Sequence, residues 1–318
     1  MRHIPGLLAA LTLFAATEAP ADEDIADQYP GSLLYAKPVE FIPGVWTAIG
    51  ATAPPTYENA GHNNNLSFIV TGDGVVVVNA GASRGLAQAL HDEIRVVTDQ
   101  PVKLVINENG QGHAMLGNGY WVDEGVPVLA HAEAARAFEE DGDASFQAGE
   151  RLLGGRFETT RLQGPTETFE DSYTVPFGDV PIEVLYLGPA HSPGDIVVWL
   201  PQQKLVISGD MAFHERMLPV FADTDTRGWI ETWETAFEPL GATYVIPGHG
   251  HPTNTDQVRR YTHDYLVDLR EKIGTHLDEG GDLAEAYYVD QSAYSHLDTF
   301  DELATKNAGR VFEQMEFE

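Results

Sequence analysis

The chain has 318 residues, 43% of them hydrophobic and 10% aromatic, enough for a sizeable core and against global disorder. It carries 49 acidic and 18 basic residues, a net charge of −31, which argues against nucleic acid and anionic membrane surfaces as partners. It has no cysteine, which excludes disulfides, thiolate metal sites and a cysteine nucleophile.

In chain order, Arg2 and His3 precede an apolar run from Ile4 to Ala16, and Ala19-Pro20-Ala21 supplies a small-x-small cleavage pattern. Residues 1–21 therefore read as a signal peptide, too short in its apolar part for a membrane span, and the expected compartment is periplasmic or extracellular. Residues 22–38 are expected to be an N-terminal extension. "VEFIPGVWTAIGA" (39–51) predicts two short strands around a Pro-Gly turn. "NNLSFIVTGDGVVVVNAG" (64–81) predicts a hairpin around Gly72-Asp73-Gly74. Ser83 caps a predicted helix to about Thr98, with Leu86, Leu90, Ile94 and Val97 on one face. Strands are expected at 102–107 and 126–131, then an acidic helix with Ala135 and Phe138 on its apolar side.

The stretch 167–188 alternates like antiparallel strands, and 195–210 reads as a hairpin with a Pro-Gln-Gln turn. Helices are predicted near 227–239 and 254–278 with the strand "YVIPG" between them, and a helical tail at 281–318 packed on a domain spanning 39–280. Hairpins alternating with helices in two similar halves fit two sheets packed face to face with helices outside.

The chemistry-bearing residues fall at strand ends. His191 lies in "LGPAHSPGD", Asp210 in "ISGDMAFHER" and His249 in "VIPGHGHPT", each flanked by glycine. All three are metal-ligand types, and loops leaving a rigid sheet are where sites collect. One such histidine alone signifies little; the three in this order suggest a metal site.

These stretches resemble the metallo-β-lactamase fold superfamily over roughly residues 40–280, and within it periplasmic metallohydrolase-like proteins. The resemblance implies an α/β fold, an αββα sandwich of two mixed β-sheets flanked by helices, with one or two metal ions, usually zinc, between the sheet edges. The family's signature after the third core strand is T-H-x-H-x-D-H-x-x-G-N. Here that segment reads Glu108-Asn109-Gly110-Gln111-Gly112-His113-Ala114-Met115-Leu116-Gly117-Asn118. Gly117-Asn118 sets the register. Asn109 and Gln111 stand where the first-metal histidines would be, His113 replaces the aspartate and Ala114 the next histidine. The supporting aspartate of the preceding hairpin is Asn79.

Amides keep hydrogen bonding but are poor zinc ligands. One reading is a rebuilt site for a single zinc or other divalent ion held by His113, Asp210 and His249, with His191 as a fourth ligand. Asp210 and His113 would then be the catalytic residues of a hydrolase acting on an ester, thioester or related bond of a small molecule. The other reading is a metal-free periplasmic binding or accessory protein. Asn109 and Gln111 are expected to line the cleft, as are His62 from "YENAGHNNN" at its rim and His214 after Asp210.

Overall fold

The computed structural model describes residue 29 and residues 31–318. The expected signal peptide and most of the expected extension lie outside the described residues. Among the described residues, twelve strands form two mixed sheets.

The first sheet is built from β1 (Val39–Ile42), β2 (Val45–Ala48), β3 (Leu66–Val70), β4 (Val75–Val78), β5 (Val102–Ile106), β6 (Val128–His131) and β7 (Glu167–Phe169), in that order across the sheet. Pairing is antiparallel up to β4, where tight turns suffice, and parallel from β4 to β7, where α-helices make the crossovers. The crossover helices are α1 (Arg84–Val97), the short α2 (Gly112–Met115) and α3 (Asn118–Asp123), and α4 (Ala132–Leu153). Ser83 caps α1 by accepting from the Leu86 N–H, as its position predicts. On α4 it is Ala134, with Phe138, that is buried, while Ala135 is half-buried.

The second sheet comprises β8 (Ser172–Thr174), β9 (Glu183–Leu185), β10 (Val197–Leu200), β11 (Leu205–Phe213) and β12 (Tyr244–His249), ordered β12-β11-β10-β9-β8. The 167–188 stretch is thus divided: β7 joins the first sheet beside β6, and the chain crosses at Glu170-Asp171 before β8 starts the second. A period of two cannot show which sheet a strand joins.

The remaining helices are α5 (Thr226–Thr232), which continues into a π-helical turn at Trp233–Phe237, then α6 (Thr255–Tyr261), α7 (His263–Asp278), α8 (Leu283–Ala286) and α9 (Phe300–Met315). The expected helix at 254–278 is broken at Thr262, whose hydroxyl accepts from the Phe213 N–H.

Three apolar layers follow from this order. Val76, Val78, Leu104, Ile106 and Leu129 of the first sheet meet Val184, Val198, Leu200, Ile207 and Ile246 of the second. The outer face of the first sheet buries Phe68, Val77 and Val105 under Leu86, Leu90 and Ile94 of α1 and Trp121 of α3. The outer face of the second buries Val197, Val206 and Val245 under Trp229, Leu266, Leu269 and, from α9, Val311 and Phe312. Each such side chain contributes on the order of 2 kcal/mol when fully buried. The αββα sandwich expected from the sequence is the observed fold. The C-terminal ends of β5, β11 and β12 open on one edge of it.

Candidate functional site

The loop after β5 is held rigidly although its ligand pattern has changed. Asn107 and Asn118 exchange side-chain hydrogen bonds of 3.0 Å, and Asn107 also donates to the Ala114 carbonyl. Gly117 is required there: a Cβ would lie 2.1 Å from the Ala80 carbonyl oxygen. The backbone therefore carries residues 108–113 across the edge of the sandwich. Asp210 lies within β11 rather than at its end, beside an irregularity in the β11–β12 register at Gly209, whose φ is +51°. His249 is the last residue of β12, and His191 lies in the loop between β9 and β10.

Asp210 is the hub. Its Oδ1 is 3.2 Å from His249 Nε2, and its Oδ2 is 3.5 Å from His113 Nε2 and 3.7 Å from His191 Nε2. The ligand atoms of His113, Asp210 and His249 all lie within 4.8 Å of one another. Asp210, His191 and His249 are buried, and His113 is nearly so.

The two replacing amides attach to retained ligands. Asn109 Nδ2 donates to Asp210 Oδ2 at 3.2 Å, and Gln111 Nε2 lies 3.1 Å from His191 Nε2. Ala114, by contrast, packs with Met115, Phe138 and Leu153 in an apolar cluster and not on the cleft.

The protonation of His249 follows from its partners. Its Nδ1 lies against the Asn63 carbonyl oxygen, closer than the Arg216 guanidinium at 3.3 Å, and this favours the tautomer with the proton on Nδ1. Burial pulls its pKa down to about 4, helped by the Arg216 guanidinium, so the ring is neutral at pH 7 and Nε2 is a bare lone pair. That lone pair faces Asp210 Oδ1, a buried oxygen that accepts no hydrogen bond. Two acceptors face each other across 3.2 Å, an arrangement a cation between them would satisfy.

His191 is likewise lowered to about 4 by burial. Burial also acts to lower His113, but the Asp210 and Glu108 carboxylates outweigh it and its pKa is raised. Burial acts to raise Asp210, and the surrounding histidines outweigh that and hold it well below the usual carboxylate range. Asp195, buried near Asp210 and bonded to the Ser192 N–H and hydroxyl, is pushed up to about 8, first by burial and then by Asp210.

Among the described residues, His113, Asp210 and His249 bring their ligand atoms within 4.8 Å of one another; His191, 3.7 Å from Asp210 Oδ2, lies outside that trio but, like the amides Asn109 and Gln111, joins the cluster around Asp210. His62 and His214 do not. His62 is buried beneath the rim, its Nδ1 accepting the Tyr35 N–H at 2.8 Å and its pKa lowered to about 3 by burial. Its neighbour Asn63 makes the contact with the site, through a backbone carbonyl. His214 lies against the His251 carbonyl at 2.9 Å and packs on Tyr261, away from the cleft lining. Neither expectation accounted for side-chain direction, which one residue's shift in an irregular loop reverses.

Two residues that bear on the site carried no signal as such. Glu108 occupies the signature's threonine position, and its Oε1 lies 3.0 Å from His113 Nε2. Arg216, buried, reaches within 3.3 Å of His249 Nδ1 and is the permanent cation among the residues lining the cleft. Above the histidines the cleft encloses about 400 Å³. Apolar residues supply much of its lining: Pro54, Leu116, Leu152, Pro219, Phe221 and Leu303. Leu152 and Phe221 are 39% and 42% exposed, so this apolar lining is open to a ligand.

Comparison with known proteins agrees with this geometry. The sequence profile described as the metallo-beta-lactamase superfamily matches residues 113–249. A metallo-beta-lactamase type 2 of Bacillus cereus is 30% identical over 190 residues, covering 59% of this chain and 67% of that protein. The chain belongs to the metallo-β-lactamase superfamily. The superfamily match opens at His113, beyond Asn109 and Gln111. A type 2 enzyme of the same superfamily from Bacteroides fragilis is 26% identical over 201 residues, covering 60% of this chain and 73% of that one. The solved structure of a metallo-beta-lactamase from Pontibacter korlensis shares the fold with a TM-score of 0.60 at 21% identity, covering 73% of this chain and 98% of that one.

Proposed function

We propose that this superfamily member is a hydrolase that uses one divalent metal ion, zinc or a similar cation, to cleave an ester, thioester or related bond in a small molecule. The observation that carries this reading is the His249 Nε2 lone pair facing a hydrogen-bond-free oxygen of Asp210, with His113 Nε2 beside them. Two imidazoles and a carboxylate are a ligand set of a common zinc type that leaves a coordination position open. A cation held there supplies charge stabilisation to a carbonyl oxygen and lowers the pKa of water.

The chain's own residues do the rest. The Asn63 carbonyl orients His249, as supporting groups of ligand histidines do. Asn109 and Gln111 occupy the sites of two missing ligands and fix Asp210 and His191. The apolar part of the lining suits a substrate with an apolar body.

The test is hydrolysis of a panel of aryl esters and thioesters, with and without a chelator, restored by added zinc. Chelator-insensitive activity, or none on any member while zinc is bound, would count against the proposal.

The second reading is a binding protein without catalysis. It is favoured by the hydrogen bonds of Asn109 and Gln111, which engage retained ligands with no metal needed.

Export is proposed on the strength of residues 1–21. Among the described residues, no helix is long and apolar enough to cross a membrane. The intact mass of periplasmic material should correspond to a chain beginning at Asp22; one retaining Met1 would refute this.

A further inference from the structure

We propose that the C-terminal helix α9 is part of the substrate site, and that Leu303 on its first turn is a specificity-determining residue for an apolar chain of the substrate. The proposal deepens the hydrolase reading above and rests on it for the bond that is cut. The superfamily match ends at His249, so α9 lies beyond the stretch it covers. Ala304, Ala308, Val311 and Phe312 bury one face of α9 in the layer outside the second sheet. The first turn has a further role. Leu303 packs against that layer yet is only half-buried, and it lines the cleft that holds His113, Asp210 and His249.

The chain is brought back to the cleft at Thr299. Its φ is +64°, a left-handed value that a β-branched residue keeps only where its surroundings impose it. The residue before it is fixed on three sides. The Asp298 N–H donates to the Glu215 carbonyl and its carbonyl accepts from the Met217 N–H, both at 2.9 Å, and its carboxylate accepts from the Thr52 hydroxyl. The start of α9 is thereby tied to the segment that follows β11 and to the loop after β2.

Further along, α9 holds that segment as well. Asn307, fully buried, accepts from the Val220 N–H at 2.9 Å and donates to the Leu218 carbonyl at 2.7 Å. Gln314 Nε2 donates to the Thr224 carbonyl at 2.7 Å, and the Thr224 hydroxyl donates to the His191 carbonyl at 2.7 Å. The segment so held supplies Pro219 and Phe221 to the cleft. α9 therefore shapes the cleft twice, through Leu303 directly and through the backbone that presents Phe221. Leu152, Phe221 and Leu303 line one cavity and keep apolar surface open to it. Covering that surface is favourable in proportion to its area, and an acyl chain of several methylenes covers more of it than an acetyl group does.

The test is hydrolysis of para-nitrophenyl octanoate and acetate by the zinc-loaded full chain, parent beside Leu303→Ala and Leu303→Met. The quantity read is the ratio of kcat/KM for octanoate to that for acetate. The parent should favour octanoate, and Leu303→Ala should lower the ratio about 10-fold, mostly through the KM for octanoate, as the loss of a few buried methyl and methylene contacts implies. Leu303→Met, which conserves volume, should retain the ratio. A ratio unchanged in Leu303→Ala, with activity on both esters lost alike or on neither, overturns the proposal, since Leu303 would then be core alone; the hydrolase reading would stand. A parent that binds zinc and cleaves neither ester defeats the hydrolase reading instead. Calorimetric binding of octanamide against acetamide, which needs no turnover, then decides the role of Leu303 by the same ratio. Thermal unfolding shows whether Leu303→Ala is folded, and Leu303→Val is read by the same criteria if it is not.

Discussion

The loop after β5 and the strand ends of the second sheet face each other across Asp210, and they have kept different things. The second-sheet side carries His191, Asp210 and His249, the donors that the sequence resemblance sets at the superfamily's ligand positions. The β5 side has kept its backbone. Gly117 still packs against the Ala80 carbonyl and Asn118 still braces Asn107, while the residues between carry amides where imidazoles would stand. Asn79 shows the same division, because it holds a left-handed φ of +70° and fixes the Glu108 N–H, yet has no charge with which to support a ligand. A loop's geometry and its ligand chemistry are therefore specified by separate residues, and the chemistry can change while the geometry persists.

The sharpest way to break this comparison is at its hub. Asp210→Asn should abolish metal uptake, because Asp210 is the one residue shared by every pair of donors across the cleft. A variant that still holds its ion, measured by elemental analysis, would place the metal elsewhere.

Restoring chemistry to the retained backbone comes next. Asn109→His with Gln111→His should raise the metal content towards two ions per chain, because the register of the loop is preserved. The lack of a carboxylate at Asn79 should leave the added ion ~10–100-fold weaker than a fully supported one. A folded double variant with unchanged stoichiometry would show that the backbone had drifted too. Ala114 is no candidate for restoration, since it belongs to the core. The unaltered chain, lacking those two imidazoles, should turn over a chromogenic cephalosporin poorly; efficient turnover would show that positions 109 and 111 do not limit the site.

Acid stability separates the buried histidines from the metal. In the metal-free protein His62, His191 and His249 have pKa values lowered to about 3, 4 and 4, so between pH 6.5 and about 4 the unfolded chain binds protons that the folded one refuses. Stability conferred by these neutral rings is complete above pH 6.5 and is lost as pH falls through that window, at roughly 1.4 kcal/mol per unit for each ring. Asp195 works in the opposite sense, its raised pKa of about 8 costing stability as pH rises from about 4. His62→Gln, which keeps an acceptor for the Tyr35 N–H, should lose melting temperature less steeply below pH 6.5. A slope equal to the parent's would show that His62 is not held neutral. The smallest effect belongs to His214→Ala, which should leave metal affinity within a factor of about two, because a half-buried side chain away from the lining contributes little to the site; a larger loss would return His214 to the cleft.

Much of this was legible in the sequence for a physical reason. β-branched runs, Gly-Asp-Gly turns and the Ser83 cap are local signals, so the strands and α1 could be read directly, and Gly117-Asn118 fixed the register of the altered loop. Less local features were not legible. The division of 167–188 between two sheets depends on tertiary pairing. The directions of His62, Glu108, His214 and Arg216 depend on which face an irregular segment presents, and no period governs that. Glu108 had one available clue: a glycine at 209, next to a ligand, leaves room for something.

The central claim is that the altered loop leaves a site for one ion. Elemental analysis of the protein purified without chelator and dialysed against metal-free buffer addresses it most directly. The account predicts close to one equivalent of a divalent metal per chain, removed by Asp210→Asn. Two equivalents would mean that the amides at 109 and 111 had been replaced in function by donors elsewhere. None, even after zinc is added and excess removed, would contradict the account and leave a cleft that binds its ligand without metal.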